Sequence, residues 1–582
     1  MKGHRFAAGF LASVLMVVLC TVLVGCSGLT ESAPEAASDT PAQTDSQEPS
    51  EVAGVTVAEQ DNVQTFDLTD GEPVATLKIA SGSENKEAAR AIKYAVGATG
   101  VAVEMHYMGS LDIMAVLEAG GEDYDAVWPA SSMWISMGDT QRITRNVQST
   151  STTPVVFGIA KSKAIELGWA DESGTTTSPT TAEILEAVQE GRLTFAMTSA
   201  TQSNSGASAY LAFLTALSEA DGPLTSEDLA DGNLTGRVAA LLDGVDRSSG
   251  SSDWLKEMVV ADPDQHQAMV NYESLVSQAN RELEEAGDEP MLVIYPADGI
   301  AVSDSPLAFV DRGQSEEAES AFKSFQEALA EPEATLEMER VGRRTGLGGK
   351  VVHADDAEVE QAFSSEWGII EDASALKSIP LPAGDVISQA LTLYQTGLKK
   401  ASYTVWAVDY SGSMLGAGKQ GVVDGLTQAL DPARAAESMI QPTEDDVNVL
   451  IPFAGQPDEA LVATGSDTAA LLRYARDREA IGGTDMYAAL IRALDFARQA
   501  KTEGGYTVAI ALMSDGVSET YTRDAFISAY AEAAVDVPIF PIMFGDADPT
   551  QLDELSSLSN GRTFDGRSGD LASVFRQVKG YN

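Results

Sequence analysis

The sequence predicts an α/β protein over its folded length, closing in a doubly wound, mostly parallel sheet. Three observations carry this. Apolar runs such as residues 154–160 (PVVFGIA) and 506–513 (YTVAIALM) lack the polar alternation of a half-exposed strand, so they read as strands buried on both faces. Helical stretches separate these runs. Several runs also end in Ser- and Gly-rich turns that open the next helix, where open α/β sheets gather their ligands.

Composition narrows the chemistry. The 582 residues carry 88 Asp+Glu against 37 Lys+Arg, a formal charge of −51. That balance argues against nucleic-acid binding, which needs a basic footprint, and against a polybasic membrane-surface binder. The two cysteines, Cys20 and Cys26, lie near the N-terminus, and the four histidines (His4, His106, His266, His353) are scattered. No Cys/His zinc spacing exists, so any metal is expected to be held by oxygen.

Residues 1–26 read as an export signal. Lys2 and Arg5 precede an apolar run at 6–24, and small residues precede Cys26. The run is also long enough to span a membrane. Leu23-Val24-Gly25-Cys26 resembles the bacterial lipobox, which implies cleavage before Cys26 and lipid on its thiol. Residues 27–70, without a Lys or Arg and rich in Ser, Thr, Pro and acid, are expected to be a disordered tether.

Residues 71–350 alternate strands and helices: strands near 74–80, 101–107, 125–128, 154–160, 193–197 and 291–295, with helices at 86–96, 201–217 and 318–329. The ordered motifs SGSE (81–84), YDAVWPASS (124–132), TQSNSGASAYLAFL (201–214) and YPADG (295–299) resemble the bacterial extracellular solute-binding proteins, especially the oxyanion- and molybdate-like group. The resemblance runs from Pro73 to Arg344. It implies a two-lobed region like the type II periplasmic binding proteins, with Ser81, Ser83, Ser131, Ser203, Ser205 and Tyr295 near a ligand cleft. Serines at strand ends also cap helices and fill turns. Residues 351–400 read as a connector ending in an amphipathic helix at 386–397.

Residues 401–582 carry the sharpest pattern. Three motifs fall at predicted strand ends or helix starts: D-x-S-x-S at 409–413, G-G-T-D at 482–485 and S-D-G at 514–516. On a doubly wound sheet these loops share one edge, where two carboxylates and three hydroxyls suit a hard divalent cation. Neutral hydroxyls leave the ion free to take an outside carboxylate. The set resembles the von Willebrand factor type A (VWA) domain and its metal-ion-dependent adhesion site (MIDAS). It implies Asp409, Ser411, Ser413, Thr484 and Asp515 as metal residues and Mg²⁺, Mn²⁺ or Ca²⁺ as cofactor. A literal G-x-G-x-x-G at 416–421 follows the strand's end too late for a dinucleotide turn.

The whole order resembles bacterial substrate-binding and VWA domain-containing lipoproteins. The first functional expectation is a lipid-anchored surface protein, facing the extracytoplasmic side. Its metal site would engage a carboxylate on a protein or matrix partner. The alternative is a solute receptor of an ABC transport system with an accessory VWA domain. No nucleophile elbow, His-paired nucleophile or paired-carboxylate motif points to an enzyme.

Overall fold

A computed structural model of the chain describes residues 54–60, 62–121, 123–220, 222–533, 535–545, 549–567 and 571–580. The signal segment, Cys26 and residues 27–53 of the expected tether lie outside the described residues. The chain from residue 52 onward is one compact unit.

The first lobe begins with β1 (Val55–Gln60), β2 (Val63–Leu68), β3 (Ala75–Gly82), β4 (Val101–Met108), β5 (Ala126–Trp128) and β6 (Thr144–Ser149). β3 runs parallel to β4 and β5. The crossover helices Ala89–Thr99 and Ser110–Glu118 make that pairing possible. β1 and β2 form a hairpin laid antiparallel on β4. They lie where the composition suggested tether. Phe66 explains the difference: it is fully buried in the first lobe's core, and the edge of β4 satisfies the backbone around it.

The second lobe contains β7 (Thr153–Ala160), β8 (Phe195–Thr198), β9 (Val245–Ser249), β10 (Ala268–Tyr272), β11 (Met291–Ile294) and β12 (Val302–Ser303). Its strand order is β11-β7-β10-β8-β9, with β12 pairing β7. β8 is parallel to β9 and β10, and β7 is antiparallel to β10 and β11. β13 (Pro306–Val310) then returns to the first lobe and pairs between β5 and β6.

The chain therefore passes between the lobes at residues 149–153 and 303–306. A third segment, 341–344, lies against the first of these, where Thr152 and Arg344 exchange backbone hydrogen bonds of 2.7 and 2.9 Å. Neighbouring side chains on extended backbone point to opposite sides, and here they serve opposite lobes. Arg343 turns to the first lobe, donating to Asn85 Oδ1 at 2.9 Å and to the Glu84 carbonyl at 2.6 Å, with Glu87 3.3 Å away. Arg344 turns to the second lobe and grips Glu273 at 2.7 and 3.0 Å. Both guanidiniums are buried.

The segment expected as a connector is part of the second lobe's packing. The helix Gly384–Leu393 buries Val386, Ile387, Ala390 and Leu391 in that lobe's core. It widens into a π turn at Tyr394–Leu398 instead of continuing as one helix to 397.

The C-terminal domain comprises β14 (Ala401–Asp409), β15 (Val447–Phe453), β16 (Leu461–Thr464), β17 (Tyr506–Ser514), β18 (Ile539–Met543) and β19 (Phe564–Asp565). The order is β16-β15-β14-β17-β18-β19. Pairing is parallel except at the β15–β16 edge. Helices cover both faces, as the uninterrupted apolar runs require. One face shares a hydrophobic core with the second lobe: Trp254, Leu255 and Met258 join Phe540, Phe564 and Phe575 in a single cluster. Among the described residues, no helix is long and apolar enough to cross a membrane.

Deleting the Arg344 guanidinium would leave Glu273 buried and unpaired. Arg344→Met is expected to lower the unfolding free energy by about 3–5 kcal/mol. Adding Glu273→Gln should recover part of that loss. Urea denaturation followed by circular dichroism measures both, and a loss no larger than about 1 kcal/mol would remove the pair from this role.

Candidate functional site

The two lobes face each other across the C-terminal ends of their parallel strands. β3 and β4 deliver Ser83 and Tyr107, and the loops after β8 and β9 deliver Gln202 and Ser251. Together these line a cavity of about 180 Å³. Lys86 and Asp112 add charge from the first lobe, and Asp253 and Glu257 from the second. Arg562, Arg576 and Gln577, from the C-terminal domain, complete the lining.

Of the six residues that the resemblance placed near a cleft, Ser83 lines this cavity. Ser81 is buried, accepting from Asn85 Nδ2 at 3.0 Å and donating to the Gly82 carbonyl at 3.2 Å. Ser131 caps the helix Ser132–Gly138 by accepting from Met133 N at 3.3 Å. Ser203 and Ser205 belong to a buried hydroxyl cluster with Ser252 and Thr198, at 2.7–3.0 Å. Tyr295 lies apart from these serines. Its hydroxyl donates to Glu273, the partner of Arg344, and accepts from Ile370 N at 3.4 Å.

Sequence reasoning missed the groups that join the lobes. Trp134 of the first lobe donates to Asn204 Oδ1 at 2.7 Å, and Asn204 donates to Tyr272 at 3.0 Å and Ser303 at 2.8 Å. Asn204 stands inside the quoted TQSNSGAS motif, and the run of small polar residues drew the eye to its serines. Arg343 carried no local signal at all. Beside it, Glu84 is buried with Oε1 lacking a hydrogen-bond partner. Burial pushes its carboxyl up to about 7, against the opposing pull of Arg343.

The C-terminal loops form a second constellation. Asp409, fully buried at the end of β14, accepts from Ser411 N at 2.7 Å and from Ser514 Oγ at 2.7 Å. Burial, with Asp515's charge adding to it, pushes Asp409 up to about 6 despite those hydrogen bonds. Ser411 Oγ and Ser413 Oγ stand 3.0 Å apart. The loop carrying Thr484 is pinned to this one by Ile481 N donating to the Tyr410 carbonyl at 2.8 Å and Gly412 N to the Gly482 carbonyl at 3.0 Å. The loop carrying Asp515 is pinned in turn. Glu519 N donates to the Thr484 carbonyl at 2.9 Å and Ser518 Oγ to the same carbonyl at 3.2 Å.

All five residues therefore share one edge of the sheet. Asp515 Oδ1 is buried there without a hydrogen-bond partner, an acceptor that a hard cation would satisfy. Among the described residues, no cluster of three or more His, Cys, Asp or Glu forms, here or elsewhere; this edge offers two carboxylates and three hydroxyls. Of the nearby glycines, Gly416 turns the loop at φ 94°. Gly418 and Gly421 lie inside the helix Ala417–Leu430, and a Cβ on Gly421 would sit 2.6 Å from the Phe544 ring. Gly418 and Gly421 thus serve close packing, against Met414 and Phe544.

Residues 77–344 match a protein family described as bacterial extracellular solute-binding proteins. The match spans both lobes and ends at the Arg343–Arg344 crossing. Among solved structures, the chain is similar to the substrate binding protein of an ABC transporter from Agrobacterium tumefaciens (15% identity, 58% of this chain and 94% of that one, TM-score 0.39). It is also similar to the periplasmic binding protein AfuA from Actinobacillus pleuropneumoniae, solved with fructose-6-phosphate (12% identity, 55% and 97%, TM-score 0.41). A von Willebrand factor type A structure from Catenulispora acidiphila matches at 19% identity over 32% of this chain and 43% of that one, TM-score 0.26. No curated protein matches. The architecture is the expected α/β one: a two-lobed region, then a doubly wound, mostly parallel sheet compatible with a VWA-like domain.

Buried Glu84, beside Arg343, gives the fold's stability a pH signature. Its folded pKa lies above the unfolded value near 4.5, so its contribution to stability is fully present below pH 4.5 and is lost as pH rises through 7. Glu84→Gln should match the wild type at pH 4 and exceed it above pH 7 by up to about 3 kcal/mol. Chemical denaturation across that range tests this, and parallel pH profiles for the two proteins would refute it.

Proposed function

We propose that this chain is an exported solute-binding protein whose two lobes take a small polar solute between their strand ends. It would act as the receptor of an ABC-type uptake system, a binding protein and not an enzyme. The observation carrying this reading is the family match over residues 77–344, the stretch that builds both facing lobes. The cavity is lined by hydroxyl, amide and charged groups, the lining that fixes small polar ligands by a few placed hydrogen bonds. This favours the receptor reading over adhesion as the primary role.

Thermal melting of the full chain against oxyanions, amino acids, sugars and sugar phosphates tests it. A ligand at 100 times its Kd should stabilise by about 2.7 kcal/mol, and Asp253→Asn should weaken the response. Melting unmoved by every member of the panel would overturn the receptor reading.

A second reading concerns the C-terminal domain and rests on a different observation, the orphaned Asp515 oxygen beside buried Asp409. Asp409, Ser411, Ser413, Thr484 and Asp515 would hold Mg²⁺ or Mn²⁺ through oxygen, leaving a coordination position for a carboxylate on a protein partner. Calorimetric titration of the full chain with Mn²⁺ should show one site that Asp515→Ala or Asp409→Ala abolishes. Equal binding in wild type and both variants would eliminate the site.

A further inference from the structure

The last helix, Leu571–Gly580, belongs to the C-terminal domain but reaches both lobes at the mouth of the cleft. The Arg576 guanidinium pairs with Asp112 in the first turn of the first lobe's helix Ser110–Glu118. The Arg576 carbonyl accepts from the side chain of Gln202 in the second lobe. Gln202 is buried at a three-way junction. Its carbonyl lies 3.0 Å from where a Cβ on the first lobe's Gly109 would stand, and its side-chain oxygen 2.9 Å from a Cβ on Gly250. A side chain on Gly580 would collide with the Gln202 amide. The close approach thus depends on glycines on both sides.

The attachments to the two lobes are unequal. The C-terminal domain is fastened to the second lobe by Arg247, which pairs with Asp536 at 2.7 Å and donates to the Asn560 carbonyl at 2.6 Å. Trp254 adds an edge-to-face contact with Phe540 at 6.4 Å, and the two parts share one hydrophobic core. Among the described residues, Arg576–Asp112 is the ion pair joining the domain to the first lobe. Any movement that separates the lobes carries the C-terminal domain with the second lobe and must break this pair.

We propose that the last helix is a built-in latch on the cleft. The C-terminal domain rides on the second lobe and holds the first lobe closed through Arg576 and Asp112, so its docking regulates access of solute. This rests on the cleft being the solute site. The test below uses no solute, so failure of the latch and failure of the receptor reading are read separately.

Amide hydrogen exchange of the full chain, followed by mass spectrometry on peptides covering 107–118 and 250–257, reads the latch directly. Asp112→Asn and Asp112→Arg should each speed exchange in both peptides, by roughly 2- to 5-fold for the milder variant, the range of a partly exposed ion pair. The exchanged pair Asp112→Arg with Arg576→Asp should restore protection. Peptides from β7 and β14 report whether each variant is folded. Unchanged exchange in the folded single variants overturns the latch, as does a double variant no better protected than Asp112→Arg.

Discussion

Two consecutive arginines fix how the halves of the binding region relate. On an extended strand, positions 343 and 344 must face opposite ways. The chain uses that constraint to plant one cation in each lobe at the crossing point. Arg343 collects loop oxygens around Asn85, and Arg344 is held by Glu273 and by the carbonyls of Gly349 and Glu371 at 3.0 and 2.8 Å. Each guanidinium is desolvated, so its position is set by the fixed fork of its donors and not by a flexible tether. The strand ends of both lobes, and hence the cavity, take their separation from this junction.

The C-terminal domain obeys a simpler rule. Parallel pairing puts the ends of β14 and β17 side by side, so Asp409 and Ser514 meet although far apart in sequence. The loops then need only short backbone bonds to bring Thr484 and Asp515 to the same edge. Burial makes the site demanding: a carboxylate there is unfavourable unless hydrogen bonds or a cation answer its charge.

Legibility followed locality. The buried strands β7, β15 and β17 were readable because continuous apolar runs admit few other fates, and the shared edge of the five C-terminal positions was readable because Asp409, Ser411, Ser413 and Asp515 follow strand ends while Thr484 opens a helix. β9 was not readable. Its sequence, Val-Asp-Arg-Ser-Ser, looks like a loop, and Arg247 is buried because Asp536 of another domain answers its charge. The cleft was legible only in outline. Its serines satisfy one another, while the residues that bridge its parts, Asn85, Arg343, Gln202 and Arg576, find partners hundreds of positions away. The hairpin at 55–68 was hidden for a related reason: one buried Phe66 and a waiting strand edge outweighed a polar composition.

The hydrophobic core shared between the second lobe and the C-terminal domain bears on the order in which the chain is made. A ribosome or an export channel delivers Trp254, Leu255 and Met258 long before Phe540, Phe564 and Phe575, which pack with them. Through that interval the second lobe has its strands but not its cover, and uncovered apolar surface is where nascent chains associate wrongly. Maturation of this lobe therefore waits for Phe540, Phe564 and Phe575 to emerge. Loss of β18, β19 and the helix Leu571–Gly580 would be felt first as a fault in biogenesis.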